Sequence, residues 1–365
     1  MNYALIMAGG IGSRFWPKSR IDAPKQFLSF FEDKTLLQNT IDRIRPIIPV
    51  ERIIVSTNAD YVDIVKEQIP DIPLENIVGE PVAKNTAPCI AFAASFIHYR
   101  DPEATMVVLP SDHFIQNEDA FLKDLELSAR IAEEKNRLVT IGITPTRPET
   151  GYGYIQYNDE NTISFNGDTA YPVKTFAEKP DVQTALKFLQ SGDFLWNSGM
   201  FIWRTERVLE EIKKHLPVLH HQVEILHQHL SDNDGNISRD VLHSVYHSCF
   251  SVSIDYGIME KSEDVVVVPS HFHWSDLGSW MAIYELQKDQ GDEDGNILNS
   301  QNILTVKSQN CYVSSANRKL IALVGLQGIG LIETDDAMLI CKLDSSQNVK
   351  EVYDKLEERD LREYR

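Results

Sequence analysis

Residues 3–12 read Tyr3-Ala4-Leu5-Ile6-Met7-Ala8-Gly9-Gly10-Ile11-Gly12, an apolar run that ends abruptly in a glycine-rich turn. A run of that length suits a buried strand, and glycines after it open backbone conformations that L side chains obstruct. Similar runs occur at 52–57, 105–110 and 137–143. Between them, Leu36, Leu37, Thr40, Ile41 and Ile44, and then Phe121, Leu122, Leu125 and Ile131, follow helical spacing. Strand–helix–strand alternation implies parallel strands joined by crossover helices. In such a sheet the loops after the strand C-termini gather along one edge, where ligands bind. The loop at 9–12 and Pro110-Ser111-Asp112-His113 both follow expected strands, so both are expected to face one crevice.

From about 150 to 285 the pattern is mixed. Short strands are expected around 153–157, 173–177 and 198–203, with helices around 181–190 and 205–229. This reads as an insertion over the sheet edge, forming the crevice's other wall. Gly291-Asp292-Glu293-Asp294-Gly295-Asn296 reads as a linker. Beyond it, 298–342 reads as short strands separated by polar turns, a pattern compatible with a few coils of a β-helix. Helical spacing returns from Val349 to Leu361.

Lys and Arg number 35 against 54 Asp and Glu, a formal net charge of −19. A nucleic-acid coat or a polybasic membrane surface needs the opposite balance. No apolar run approaches the roughly 18 residues of a membrane span. The N-terminus lacks the basic stretch of a secretory signal. Cys89, Cys249, Cys311 and Cys341 are far apart with no CxxC pair, which points to reduced thiols in the cytoplasm.

Three motifs carry candidate chemistry. Between 9 and 25, Arg14, Lys18, Arg20 and Lys25 stand against Asp22 alone, a local excess of positive charge in an acidic chain. With glycines that let backbone N–H groups approach phosphate, this suits a polyanion such as a triphosphate. It is not a P-loop, because no Gly-Lys-Ser/Thr follows, and Phe15 stands where a dinucleotide fingerprint needs its third glycine. A solvated basic face on a strand-to-helix turn is the plain alternative. The second motif is Asp112, at the end of an apolar run, with Asp276 in Trp274-Ser275-Asp276-Leu277-Gly278-Ser279-Trp280. Two carboxylates suit Mg²⁺, which fills its shell with phosphate oxygens and water, although each alone also serves as a cap or turn residue. The third is Phe176-Ala177-Glu178-Lys179-Pro180 with Trp196-Asn197-Ser198-Gly199. Lys179 can neutralise a phosphate, and Glu178 and Asn197 suit sugar hydroxyls; a surface ion pair beside a core strand is the alternative. Thr150-Gly151-Tyr152-Gly153-Tyr154 offers bare backbone against which a sugar ring can lie, or a hairpin turn. His220, His221, His227 and His229 lie in a helical stretch without matching carboxylates or cysteines, and His271 and His273 flank Phe272 in an expected strand; all six read as structural.

Taken together, Gly9 to Arg20 with Pro24-Lys25-Gln26-Phe27 resembles the signature of the nucleotidyltransferases that make nucleotide sugars, and more narrowly that of the mannose-1-phosphate guanylyltransferases (GDP-mannose pyrophosphorylases). The resemblance extends through Glu80-Pro81, Lys84-Asn85-Thr86-Ala87-Pro88, 110–113, 150–155, 176–180, 196–201, Ser253-Ile254-Asp255-Tyr256-Gly257-Ile258-Met259-Glu260 and 274–280, in the expected order over about 285 residues. Gly257 stands where that family has alanine. Some relatives carry an added isomerase domain, and isomerase activity is not expected here.

The resemblance implies an α/β fold: a Rossmann-like mixed sheet forming a nucleotidyltransferase catalytic domain over 1–290, then a small C-terminal β-rich, β-helix-like domain over 297–365, with dimerisation through that segment. It implies transfer of GMP from GTP to mannose 1-phosphate with Mg²⁺ as cofactor. Ala8, Gly9, Gly10, Gly12, Ser13, Asn85, Thr86 and Ser111 would bind the nucleotide. Arg14, Lys25 and Lys179 would act on the phosphates, Asp112 and Asp276 would hold the metal, and Gly153, Glu178, Asn197 and Gly199 would bind the sugar. A sister transferase for another sugar 1-phosphate, such as a heptose, and a catalytically silent nucleotide-sugar-binding subunit are the rival readings.

Overall fold

The computed structural model describes every residue except 32, 166, 167 and 317. The chain forms two compact units, neither contiguous in sequence. The first comprises Met1–Gly9, Thr40–Ser111 and Ile115–Trp274; the second comprises Gly10–Asn39, Asp112–Phe114 and Ser275–Arg365.

The first unit is built on a mixed sheet. Its strand order is Ile77–Glu80, Ile53–Asn58, Asn2–Ala8, Thr105–Pro110, Phe194–Arg204, Leu138–Ile143, Val265–Pro269, Asp168–Glu178 and Gly153–Tyr157. The first four run parallel, as the alternating pattern implies, with Ala4 beside Ile53 on one side and Val107 on the other. Ala4, Leu5 and Ile6 are wholly buried, which is why this run carries no polar alternation. Helix Thr86–Arg100 is apolar all round and packs against helices Thr205–His215 and Pro217–Asp232, with Ala87 to Ile97 buried without interruption.

Two expectations fail here. The segment after 150 is not an insertion over the sheet edge: Phe194–Arg204 enters the sheet's centre, antiparallel to both Thr105–Pro110 and Leu138–Ile143. Met200, Phe201, Ile202 and Trp203 are all buried, and only a central strand buries successive residues on both faces. The helix expected over 205–229 is two helices that part at Leu216, because Pro217 has no N–H to continue the first and a φ suited to starting the second.

The second unit contains short parallel strands stacked as coils. Ile297–Asn299, Tyr312–Ser315 and Ile329–Glu333 form one ladder, Ile303–Val306 and Ile321–Val324 another, and Met338–Lys342 closes the first in antiparallel pairing. Cys311, Val313, Ile321, Leu323 and Leu331 fill the interior. The stretch 291–296 is no loose linker: Asn296 is buried, donates to Ser308 O at 2.9 Å and accepts from Cys311 N–H at 3.0 Å, so it starts the first coil. The terminal helix Val349–Glu358 sets Val349, Tyr353 and Leu356 in a core with Phe15, Trp16 and Trp280. The cysteines are free thiols. No described helix is long and apolar enough to cross a membrane.

Candidate active site

In the second unit, Gly12, Ser13, Arg14, Lys25, Asp112 and Asp276 line one cavity of about 320 Å³, together with His113 and Lys350. The loop geometry that makes this possible is local. Gly12 sits at φ 73°, and Lys25 N–H donates to Ile11 O at 3.0 Å, so the two backbones lie against each other. A Cβ on Gly12 would collide with the Lys25 side chain, so this position needs glycine for both its conformation and its clearance. Lys25 is almost fully buried, and its Nζ donates to Asp112 Oδ2 at 2.7 Å and to Asp276 O at 2.6 Å. Burial works to raise the Asp112 carboxyl, but the Lys25 charge, then His113, outweighs it and holds Asp112 below the usual carboxylate range. Gly278 leaves open space beside the other carboxylate: a Cβ there would lie 2.9 Å from Asp276 Oδ2. Lys18 and Arg20, the remaining cations of the motif, do other work. Burial lowers Lys18, and Arg20 pairs with Asp336 at 2.7 Å.

The first unit gathers the sugar-type residues. Strand Asp168–Glu178 pairs with Gly153–Tyr157 so that Glu178 faces Gly153, and a Cβ on Gly153 would strike the Glu178 carboxylate. Lys179 Nζ donates to Glu178 Oε1 at 2.9 Å; that bond raises the lysine above its ordinary range. The Lys179 backbone has φ 48°, a left-handed conformation that costs a non-glycine residue about 1–2 kcal/mol. Asn197 sits where the Phe194–Arg204 strand bulges before Gly199, whose φ is 71°. Its Oδ1 accepts from Gly199 N–H at 3.1 Å, and its Nδ2 donates to Asp255 Oδ1 at 2.7 Å. Burial, then the nearby Glu178 charge, pushes the Asp255 carboxyl above the usual range. Tyr152 stands edge-on to both Trp196 and Trp274 at 5.2 Å, walling this cluster with aromatic rings.

The other expected nucleotide residues lie elsewhere in the first unit, with Gly10 opening the second. Ala8 ends its strand with its carbonyl accepting from Thr57 Oγ1 at 2.8 Å, and Gly9 follows it. Ser111 is one strand over, its N–H donating to Met7 O at 3.0 Å. Asn85 caps helix Thr86–Arg100 from φ 67° and ψ −172°, a region essentially reserved for glycine, with its Oδ1 accepting from Thr86 N–H at 2.8 Å. Thr86 Oγ1 accepts from Ile254 N–H at 2.8 Å, which ties the 252–254 segment to the helix start. His271 is not in the expected strand, which is only His273–Ser275. Both its backbone N–H and its Nδ1 engage the buried Asp124 at 2.8 Å.

Sequence reasoning assigned no role to Asp255, Glu80 or Lys350. Asp255 and Glu80 stand within quoted motifs, but only the fold reveals their partners: Glu80 accepts from Ser56 Oγ at 2.7 Å, and burial raises its carboxyl. Lys350 carries no motif signal at all. Among the described residues no three His, Cys, Asp or Glu side chains group as a metal site. Asp112 and Asp276, both in the cavity lining, offer a cation hard oxygen donors.

Sequence models of two families match the chain. The one described as Nucleotidyl transferase covers residues 3–293, and the one described as MannoseP isomerase/GMP-like beta-helix domain covers residues 301–356. A mannose-1-phosphate guanylyltransferase of Escherichia coli is 39% identical over 369 residues, covering 100% of this chain and 75% of its own. One from Klebsiella pneumoniae is 38% identical over 363 residues, covering 99% and 75%. A crystal structure from Thermus thermophilus, described as a mannose-1-phosphate geranyltransferase, superposes with a TM-score of 0.85 at 32% identity, covering 98% of this chain and 99% of that one.

Proposed function

Because the chain belongs to the nucleotidyl transferase family, we propose that it transfers GMP from GTP to mannose 1-phosphate, releasing pyrophosphate. A phosphate oxygen of the sugar phosphate forms a bond to the α-phosphorus, the bond from that phosphorus to the β-bridging oxygen breaks, and its electron pair leaves with pyrophosphate. The attacking oxygen is ionised at pH 7, so no general base is required. The obstacle is bringing anions together in line, which positioning and fixed cations overcome. The observation that carries this reading is the convergence of Gly12, Arg14, Lys25, Asp112 and Asp276 on one cavity. The names carried by the Escherichia and Klebsiella relatives support the substrate pair.

In this reading Arg14, Lys25 and the loop backbone hold the triphosphate, and Lys179 binds the sugar phosphate. Glu178 and Asn197 read sugar hydroxyls beside Gly153 and Gly199, and Ala8, Gly9, Gly10, Ser13, Asn85, Thr86 and Ser111 serve the nucleotide. The two carboxylates fit Mg²⁺, since that ion takes one or two carboxylates and completes its shell with phosphate and water. Asp112 and Asp276 would hold it; when bound it neutralises phosphate charge. A silent binding subunit has little use for both carboxylates beside Lys25. The free thiols suit a cytoplasmic setting. The outward Leu304, Val306 and Val324, each more than half exposed on the coiled segment, support pairing of two chains there.

The test is pyrophosphate release with GTP and mannose 1-phosphate, with and without Mg²⁺, against ATP, UTP, glucose 1-phosphate and a heptose 1-phosphate. Mg²⁺-dependent release confined to the GTP–mannose 1-phosphate pair is expected. Faster turnover of another sugar phosphate, or none at all, overturns the assignment.

A further inference from the structure

We infer that Lys350, carried on the C-terminal helix, is a phosphate-binding residue of the cavity formed by the glycine loop. The inference rests on the reading of that cavity as the site of the nucleotide's phosphate chain. Lys350 lines the cavity with Gly12, Arg14, Lys25, Asp112 and Asp276 although more than 300 residues separate it from the loop.

Charge balance gives Lys350 its role. Lys25 is held by Asp112 at 2.7 Å and by the Asp276 carbonyl at 2.6 Å, so part of its charge is already offset by protein oxygens. With two carboxylates in the wall, a bound phosphate chain needs further cations beside Lys25. Arg14 and Lys350 meet that need: both are exposed, and neither has an ion pair among the described residues. The position of Lys350 is unfavourable for the helix itself. It lies in the first turn of Val349–Glu358, the end at which peptide dipoles repel a cation. A local conflict of that kind is expected at functional positions.

The helix is also fixed against the loop, so the lysine is presented from a rigid element. Val349, Tyr353 and Leu356 share a core with Phe15 and Trp16. Trp16 Nε1 donates to Tyr364 O at 2.7 Å, and Ile21 N–H donates to Arg365 O at 3.2 Å. The C-terminal segment thus both braces the phosphate loop and adds a cation to it.

The experiment is calorimetric binding of inorganic pyrophosphate and tripolyphosphate, with Mg²⁺ present, to the full chain and to Lys350→Ala, Lys350→Arg and Lys355→Ala, the last an exposed lysine on the same helix. Loss of one charge-assisted phosphate contact predicts affinity falling about tenfold or more in Lys350→Ala. Lys350→Arg should recover most of it, and Lys355→Ala should match the parent, with melting temperatures unchanged throughout. In turnover assays, Lys350→Ala should raise KM for GTP while leaving KM for mannose 1-phosphate in place. Pyrophosphate binding to Lys350→Ala within twofold of the parent overturns the inference, as does an equal loss in Lys355→Ala or a parent chain that binds neither polyphosphate. If the parent binds polyphosphate through Lys350 but turns over no mannose 1-phosphate, the substrate assignment fails and the role of Lys350 stands.

Discussion

Lys25 holds Asp112 by an ion pair of 2.7 Å while its remaining donors reach the backbone carbonyl of Asp276 at 2.6 Å. One buried ammonium therefore fixes the spacing of the two segments that bear the cavity's carboxylates. Removing it in Lys25→Met withdraws a preorganised cation and leaves Asp112 without its partner. We expect kcat/KM to fall by about 10²–10³-fold, the usual loss for one preorganised electrostatic group. The stability effect has a defined sign. Because Lys25 depresses the Asp112 carboxyl, the pair's contribution is complete above the unfolded value near pH 4 and disappears as pH falls through the depressed one. The gap in melting temperature between parent and variant should be full at pH 7 and close below about pH 4. A gap that is constant down to pH 3 would sink the assignment.

The glycines of the loop are not equivalent. Gly12 has φ 73° and no room for a Cβ, whereas a Cβ on Gly10 meets nothing within 4 Å. Gly12→Ala should cost at least the about 1–2 kcal/mol of left-handed backbone, with more from displacing Lys25. Gly10→Ala should fold like the parent and show its effect only in KM for GTP, where a methyl interferes with phosphate approaching the backbone. Thermal melts of the two variants side by side decide this, and equal destabilisation would contradict it.

Gly153→Ala tests the sugar-type cluster without substituting a charged residue. The added methyl must displace the Glu178 carboxylate, and with it the Lys179 ion pair. KM for the sugar phosphate should rise about tenfold or more, since small displacements of positioning groups carry large rate and binding penalties. Lys179→Ala should raise the same KM with little change in melting temperature, because an exposed ion pair contributes only about 0–1 kcal/mol. A rise in KM for GTP with the sugar-phosphate KM unmoved would remove both residues from the sugar site.

The parallel half of the sheet was legible because each of its strands is an apolar, β-branched run followed by a turn, and burial on both faces demands that pattern. The place of Phe194–Arg204 was not. Periodicity reports which residues are buried, whereas the neighbour a strand chooses is a long-range matter, and antiparallel entry between 105–110 and 138–143 leaves no local mark. Glu178 and Lys179 could be read as a pair because they are adjacent; Asp255 could not, since its bond to Asn197 joins segments 58 residues apart. Lys350 is the extreme case. It reaches the loop only because the coils of 297–342 and the Trp16–Tyr364 contact return the chain terminus to it. The 291–296 turn was misread for a different reason: its acidic and glycine residues resemble a linker, yet Asp292 and Asn296 spend their side chains on backbone groups of the first coil.

Asp276→Asn separates metal binding from folding. The backbone carbonyl that receives Lys25 is unchanged by this substitution, so the wall of the cavity should remain in place. What is lost is one of two hard anionic donors. Turnover should fall at limiting Mg²⁺ and recover in part as Mg²⁺ is raised, with a melting temperature close to that of the parent. Parent-like kcat at limiting Mg²⁺ would exclude Asp276 from the metal site.

Asp255→Asn should have the opposite pH signature to that of Asp112. Burial and the Glu178 charge raise the Asp255 carboxyl, and Lys179, on the same side of the balance as the Asn197 hydrogen bond, only partly offsets them. A carboxyl raised in the folded state carries no penalty below its unfolded value near pH 4 and a growing one as pH climbs through the folded value. The amide keeps an acceptor for Asn197 Nδ2 and removes the charge that faces Glu178 and Glu260. The variant should therefore match the parent near pH 4 and melt measurably higher at pH 7 to 8. Its KM for the sugar phosphate should rise only modestly, because the orientation of Asn197 is retained. Melting curves across that pH range decide the matter: a parent that grows more stable than the variant as pH rises would show that the Asp255 charge is stabilised, not tolerated.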